Sequence, residues 1–254
     1  MENVLNSLVL SVHYRILHLL MQAGFVLPQT DVVLPLIPAG PAVAPNSYGL
    51  SGTHYPWVFL DNGFAIDDSL VKVYVGGALQ GSSLYRVNYA DGRVVFNAKP
   101  NGVVTADFTR YAAHVREAFN DVSGLIEFLT ANELPLVTWH MDRQTGEAFS
   151  IGSNIENRRR YVSLVIYGNN TTEVRAYGDA ICRRLVRCAM VDMVAAQPLG
   201  FGGYADYNWD YQKQAVSWLR FPIRPELYEI PVKPGESDKL RFQGKILLQI
   251  ENVD

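Results

Sequence analysis

Leu70-Val71-Lys72-Val73-Tyr74-Val75-Gly76-Gly77, followed by Tyr85-Arg86-Val87-Asn88-Tyr89-Ala90-Asp91-Gly92-Arg93-Val94-Val95-Phe96, decides the reading of the fold. Residues 70–75 alternate in polarity and are rich in β-branched and aromatic side chains, which fit a pleated, half-buried surface. Gly76-Gly77 ends that strand with a turn. Asp91-Gly92 between two alternating runs is a strong hairpin signal, because both residue types tolerate positive φ. Pro100-Asn101-Gly102 marks a further turn before Val103-Val104-Thr105-Ala106-Asp107-Phe108-Thr109. These runs predict a small antiparallel β-domain over residues 55–112.

Toward the C-terminus the signals become mixed. Leu136-Val137-Thr138-Trp139-His140-Met141 reads as a strand, and so does Tyr161-Val162-Ser163-Leu164-Val165-Ile166-Tyr167, apolar on both faces and therefore central. Asn170 is placed to cap a helix, with Glu173 in the capping-box position near the positive end of the dipole. Val174, Tyr177, Ile181, Leu185 and Cys188 form one stripe of that helix, with Arg183 and Arg187 opposite. Residues 215–221 and the alternation of Leu240, Phe242, Ile246, Leu248 and Ile250 give two further strands. Residues 113–132 fit either a helix or a continued strand. Residues 113–254 thus read as a mixed α+β domain, strand-strand-helix-strand-strand.

Toward the N-terminus, Leu5, Leu8, Val12, Ile16 and Leu19 recur at helical spacing, and Gly24 stands where a C-cap glycine would. The spacing predicts a docking helix over residues 1–26, with an ordinary core helix as the alternative. His13, Arg15 and His18 interrupt its apolar run, whereas a membrane span needs about 20 nearly uncharged residues. No membrane partner is expected, and the acidic start argues against a secretory signal. Pro28, Pro35, Pro38, Pro41 and Pro45 make residues 27–54 an extended proline-rich arm, since proline fixes φ and removes a donor. Leu34, Leu36, Ile37 and Val43 make the arm too apolar for a solvated linker. It is expected to lie in a groove, of its own chain or of a neighbouring subunit. The fold class is α+β.

Composition narrows the function. The 254 residues carry a net charge of −3, with 48% hydrophobic residues, and 19% charged residues against a usual 25% or so. That mix excludes a disordered chain, and it lacks the positive excess of a general nucleic-acid binder. Cys182 and Cys188 cannot make a disulfide scaffold or a four-thiolate zinc site, and reducing conditions suit them. Histidines 13, 18, 54, 114 and 140 form no metal-binding spacing, and no phosphate-binding loop is present. Arg158-Arg159-Arg160, the one compact basic run, reads as a solvated turn or a charged edge, and Asp67-Asp68 as loop chemistry. No catalytic residue, metal or cofactor is expected. Gly200, Gly202 and Gly203 followed by Tyr204, Tyr207, Trp209 and Tyr211 form an aromatic loop suited to a subunit contact or to stacking a base or a sugar, with Asp206 and Asp210 disfavouring nucleic acid and a solvent-exposed connection as the alternative.

Two stretches resemble a known family. Residues 71–79 and 85–96 resemble the short β-module of tailed-bacteriophage virion proteins: strand, Gly-x-Leu, strand, Asp-Gly, strand ending in Phe. Leu134-Pro135-Leu136-Val137, Ile151-Gly152 and residues 160–170, with Glu173 and Asp179-Ala180 after them, are similar to phage neck and tail-completion proteins. There a strand, a Gly-Asn turn and an amphipathic helix build a ring subunit. The resemblance implies a structural protein of the virion neck, made in the host bacterial cytoplasm and without enzymatic activity. It also implies a six- or twelve-fold ring of copies of this chain, contacts with portal, neck and tail proteins, and DNA passing without sequence-specific binding. Ring closure would cover strand edges that a monomer leaves open. The expected interface residues are Leu34, Leu36, Ile37 and Val43 on the arm, Arg183 and Arg187 on the helix, and Tyr207 and Trp209 in the loop. A carbohydrate- or ligand-binding module using the aromatic loop is the alternative, and a hydrolase built on His54 or His140 a remoter one.

Overall fold

A computed structural model describes residues 2–41, 43–50, 55–131, 134–148, 156–185, 187–193, 195–200, 202–221, 224–231, 240 and 242–253. The fold is α+β, with four α-helices and fourteen strands among the described residues. Two compact units share the chain. One takes Gly24–Ala112 and Ala196–Asp210; the other takes Met1–Ala23, Ala113–Ala195 and Tyr211–Asp254.

The first unit holds β1 (Val26–Val33), β2 (Ser47–Gly49), β3 (Lys72–Val75), β4 (Ala78–Leu79), β5 (Tyr85–Asn88), β6 (Arg93–Phe96) and β7 (Val104–Tyr111). They form an antiparallel sheet in the order β1-β7-β3-β4 and a second in the order β2-β6-β5. Period-two burial along β7 puts Val104, Ala106 and Phe108 inside. The Trp57 ring stacks on Phe108 at 4.0 Å, and Phe59, Leu60, Val73, Val94 and Tyr111 complete the core.

The first part of the proline-rich arm is a strand of the chain's own sheet. β1 pairs with β7 from Val26 opposite Tyr111 to Val33 opposite Thr105. A register shift between Gln29 and Val32 accommodates Asp31 at φ 51°, whose N–H donates to Asp107 Oδ1 at 2.8 Å. Beyond the strand, Leu34 is buried and the Ile37 N–H donates to the Ser47 carbonyl at 2.8 Å. The β5–β6 hairpin is closed by residues 89–92, since Asn88 pairs with Arg93. Gly92 alone takes the left-handed conformation, at φ 61°. Asp91 instead donates its N–H to Asn88 Oδ1 and accepts from Asn88 Nδ2, each at 3.0 Å.

The second unit holds α1 (Glu2–Gln22), β8 (His114–Glu117), α2 (Val122–Ala131), β9 (Leu136–Ala148), β10 (Glu156–Gly168) and α3 (Thr171–Arg184). It continues with β11 (Arg187–Val191), α4 (Tyr211–Gln214), β12 (Ala215–Arg220), β13 (Leu227–Ile230) and β14 (Phe242–Val253). The sheet runs β11-β12-β14-β10-β9-β8, and β13 also pairs with β14. Its pairs are antiparallel except β8 with β9. Leu8, Val12, Ile16, Leu19 and Leu20 of α1 are fully buried, and α1 packs on β11, α3 and β8. It is a core helix. Its buried serines serve the edge of the sheet: Ser11 Oγ accepts from the Val191 N–H at 3.0 Å and Ser7 Oγ from the Met193 N–H at 3.2 Å. Among the described residues no helix is long and apolar enough to cross a membrane.

Two local expectations are corrected and one open reading is resolved. The stripe from Val174 to Cys188 is not one helix: α3 ends at Arg184, where the Leu185 N–H still reaches the Ile181 carbonyl at 3.0 Å. Arg187 and Cys188 lie on β11, where Cys188 pairs with Leu219 and is buried. Residues 113–132 hold both a strand and a helix, β8 and α2. Arg158-Arg159-Arg160 lies within β10 and not before it, and Arg160 takes the buried register shared with Val162, Leu164 and Ile166.

At the start of α3, Asn170 Oδ1 accepts from the Glu173 N–H at 2.8 Å, and Glu173 Oε2 accepts from the Asn169 N–H at 2.6 Å. The carboxylate thus reaches one residue beyond the cap itself. Asn170→Ala is expected to cost about 1 kcal/mol by leaving a first-turn donor unpaired. A lower urea midpoint with unchanged slope is the measurement that checks it.

Candidate functional site

Residues 196–210 fold back onto the β5–β6 hairpin. The Tyr89 N–H donates to the Gly203 carbonyl at 2.9 Å, and Tyr204 bridges Asn88. Gly200 donates to the Tyr204 carbonyl at 2.8 Å and accepts from the Gly203 N–H at 3.1 Å, which closes the turn. Gly202 and Gly203 sit at φ 81° and 82°, a region an L side chain rarely enters. Trp209 is buried against Phe64, with ring centroids 5.3 Å apart, and anchors the end of the segment.

This return builds a cavity of about 300 Å³. Four tyrosines line it: Tyr85 and Tyr89 are buried, Tyr204 is half-buried, and Tyr207 is 65% exposed. Asp68, Ser82 and Arg86 add polar groups, all three exposed. The Arg86 guanidinium lies 4.3 Å from the Tyr204 ring centroid, which restrains it by a cation–π contact. Asp67 caps the short 3-10 helix Asp68–Leu70, accepting from the Ser69 N–H at 2.9 Å, and so sets the position of Asp68. Burial raises the Tyr89 and Tyr85 hydroxyl pKa values, and the nearby Tyr207 and Asp68 raise them further. The Tyr89 hydroxyl is hydrogen-bonded to Tyr207, so the two rings hold each other in the wall. One acid, one base and several hydroxyls make the cavity a neutral, hydrogen-bonding site with aromatic walls.

In the second unit, here called the α+β unit, large apolar side chains face solvent. Val216 and Trp218 occupy the same face of β12 and are 59% and 45% exposed. The Arg187 guanidinium lies 4.8 Å from the Trp218 centroid. Val122 and Ile126, one turn apart on α2, are also exposed.

The residues singled out from sequence fall in different places. Leu34 is in the core, Leu36 is 50% exposed, and Ile37 and Val43 are half-buried. Arg183 is exposed and paired with Asp179 at 2.8 Å, while Arg187 points to Trp218 from a strand. Tyr207 faces solvent at the cavity, whereas Trp209 is taken up by Phe64 and is no surface anchor. Arg86, Tyr85, Tyr89, Val216 and Trp218 were not singled out from the sequence, and Asp68 was read there only as loop chemistry. For Trp218 a signal existed, because Val216 and Trp218 alternate with Leu219 so that both faces of the strand carry apolar residues.

Burial pushes the Cys188 thiol up to about 12 and the Cys182 thiol to about 11, so both are protonated at neutral pH. His54 lies outside the described residues. His140 is exposed on β9, opposite Ser163 of β10. His18 is buried and accepts from Arg15 at 2.9 Å, and His114 is buried edge-on to Phe128. No group of three His, Cys, Asp or Glu among the described residues could hold a metal ion.

Compared with protein-family models, with curated proteins and with solved structures, the chain matches none.

Proposed function

We propose that the protein is a structural subunit of the neck of a tailed bacteriophage. It closes with copies of itself into a six- or twelve-fold ring between portal and tail, and it has no enzymatic role. The observation that carries this reading is the pair of large apolar side chains, Val216 and Trp218, that β12 leaves in water on one face. Exposed apolar surface of this kind marks association sites, and burying it gains roughly 25 cal/mol per Å² before ordering costs. The resemblance to a ring subunit rests on a strand, a turn and an amphipathic helix, and residues 156–184 hold β10, the Gly168-Asn169-Asn170 turn and α3 in that order. Portal, neck and tail proteins would be its neighbours in the virion, with DNA passing through the ring without sequence-specific contacts.

Solution mass over a range of concentrations, with electron microscopy of the same samples, tests this reading. Uniform rings are expected, and Trp218→Asp should shift them to monomer while leaving the circular dichroism spectrum unchanged. A protein that stays monomeric at every concentration and in the presence of its portal would refute it. Substitution on β12 is a cleaner test than removing residues 27–45, which would strip most of β1 from its sheet.

A second reading, a ligand-binding module, is favoured by the tyrosine-lined cavity of the other unit. The two readings concern different surfaces and can both hold.

A further inference from the structure

We infer that the cavity between β5 and the 203–207 segment is a binding site for a neutral pyranose sugar, held by Asp68 and Arg86 against tyrosine rings. The inference rests on the ligand-binding reading and specifies its ligand class. Size comes first: about 300 Å³ lies at the small end of ligand sites, enough for one or two rings and too little for a folded peptide.

Charge comes next. Asp68 and Arg86 are one acid and one base on the same cavity, so the site has no excess of either sign. A phosphate would gain Arg86 and meet the Asp68 carboxylate, which repels it. A purely apolar ligand would leave both groups without new partners while covering them, at the cost of desolvation. Sugar hydroxyls donate and accept at once, so the same ligand can give a hydrogen bond to Asp68 and take one from Arg86.

The walls complete the match. A pyranose presents C–H groups on its faces and hydroxyls at its rim. Tyrosine offers an apolar ring ending in a polar tip, which is the complementary arrangement. Tyr85 and Tyr89 supply buried ring walls, and the Tyr89 hydroxyl is hydrogen-bonded to Tyr207 at the mouth of the cavity. The site also arrives largely organised. Arg86 is restrained by Tyr204, Asp68 by the Asp67-capped turn, and Tyr204 by the Gly200–Gly203 closure. Less ordering is then needed on binding.

Saturation-transfer NMR and calorimetry on the full chain can test this with methyl α-D-glucopyranoside, methyl α-D-mannopyranoside and methyl β-D-galactopyranoside. Inorganic phosphate and indole serve as comparison probes. At least one glycoside is expected to bind saturably in the millimolar range. Asp68→Asn and Arg86→Ala should each weaken it about tenfold or more, and Tyr207→Ala by a similar factor. All three side chains are exposed, so folding should persist, and an unchanged melting temperature verifies this. Tyr228→Ala, at an exposed position of the other unit, should leave the affinity unchanged.

If none of the glycosides binds, the sugar assignment falls. Binding of phosphate or indole that the same variants abolish would then preserve a ligand site of another class. If no probe binds, the ligand-binding reading falls with it. Glycoside binding indifferent to all three variants would also overturn the assignment, because the sugar would be elsewhere.

Discussion

Gly203→Ala is expected to lower the stability of the β-rich unit by about 3 kcal/mol and to open the tyrosine-lined cavity. Two costs combine. At φ 82° an L residue sits in the left-handed region, which costs roughly 1–2 kcal/mol. A Cβ there would also overlap Asn88 Oδ1 and come within 2.6 Å of the Ala90 Cβ, and forced overpacking costs about 1–3 kcal/mol more. Neither neighbour can yield freely. Asn88 Oδ1 already accepts from the Asp91 N–H, and Asn88 Nδ2 holds the Asp91 carboxylate, so moving Asn88 disturbs the hairpin loop. The backbone can relax only by lifting Gly203 away, which breaks its carbonyl's bond to the Tyr89 N–H and withdraws Tyr204 and Tyr207. Thermal unfolding followed by tyrosine and tryptophan absorbance would register the loss. Gly76→Ala makes a useful control: it also has positive φ, but its Cβ meets open space, so only the conformational cost should appear.

The contrast between those two glycines shows what could be read in the sequence. Turn chemistry is local. The Asp91-Gly92 turn, the Gly24 helix terminus and the Asn170-Glu173 cap were legible because each is decided by a few neighbouring residues. Faces were legible too, since Leu8, Val12, Ile16 and Leu19 are all buried. What covers a face was not. Periodicity says that α1 has an apolar side; only the fold places β11, α3 and β8 against it. The same limit ended α3 too late. Ile181, Leu185 and Cys188 keep a helical spacing, and it is pairing with β12 that makes a strand of residues 187–191.

The cavity shows the limit most plainly. Glycines and tyrosines near residue 204 signalled an unusual loop, but Asp68, Arg86, Tyr85 and Tyr89 come from far earlier in the chain and had no motif of their own. Trp209 looked like a surface anchor for the same reason. Nothing local revealed that Phe64 would bury it.

A pH effect of comparable size is expected in the α+β unit, from His13. Its ring stands edge-on to Tyr14 and Trp139, and Trp139 Nε1 donates to His13 Nδ1 at 3.0 Å. That bond needs an unprotonated Nδ1. A proton there would expel the indole donor and place a charge among aromatic rings, and burial accordingly lowers the His13 pKa to about 4, against an ordinary 6.5. The neutral ring is thus the folded form. As pH falls below 6.5 the unfolded chain takes up a proton that the folded one refuses, so the stabilisation, complete above 6.5, is lost on the way down to about 4. The difference corresponds to about 3 kcal/mol, and partial access of the residue to solvent trims it to about 2–3 kcal/mol. His13→Gln keeps an acceptor for the indole and does not titrate. Urea midpoints of both proteins at neutral pH and near pH 4 would isolate the effect from that of the carboxylates, which the two share. The native chain should lose about 2–3 kcal/mol more than the variant; equal losses would mean that His13 is protonated as readily folded as unfolded.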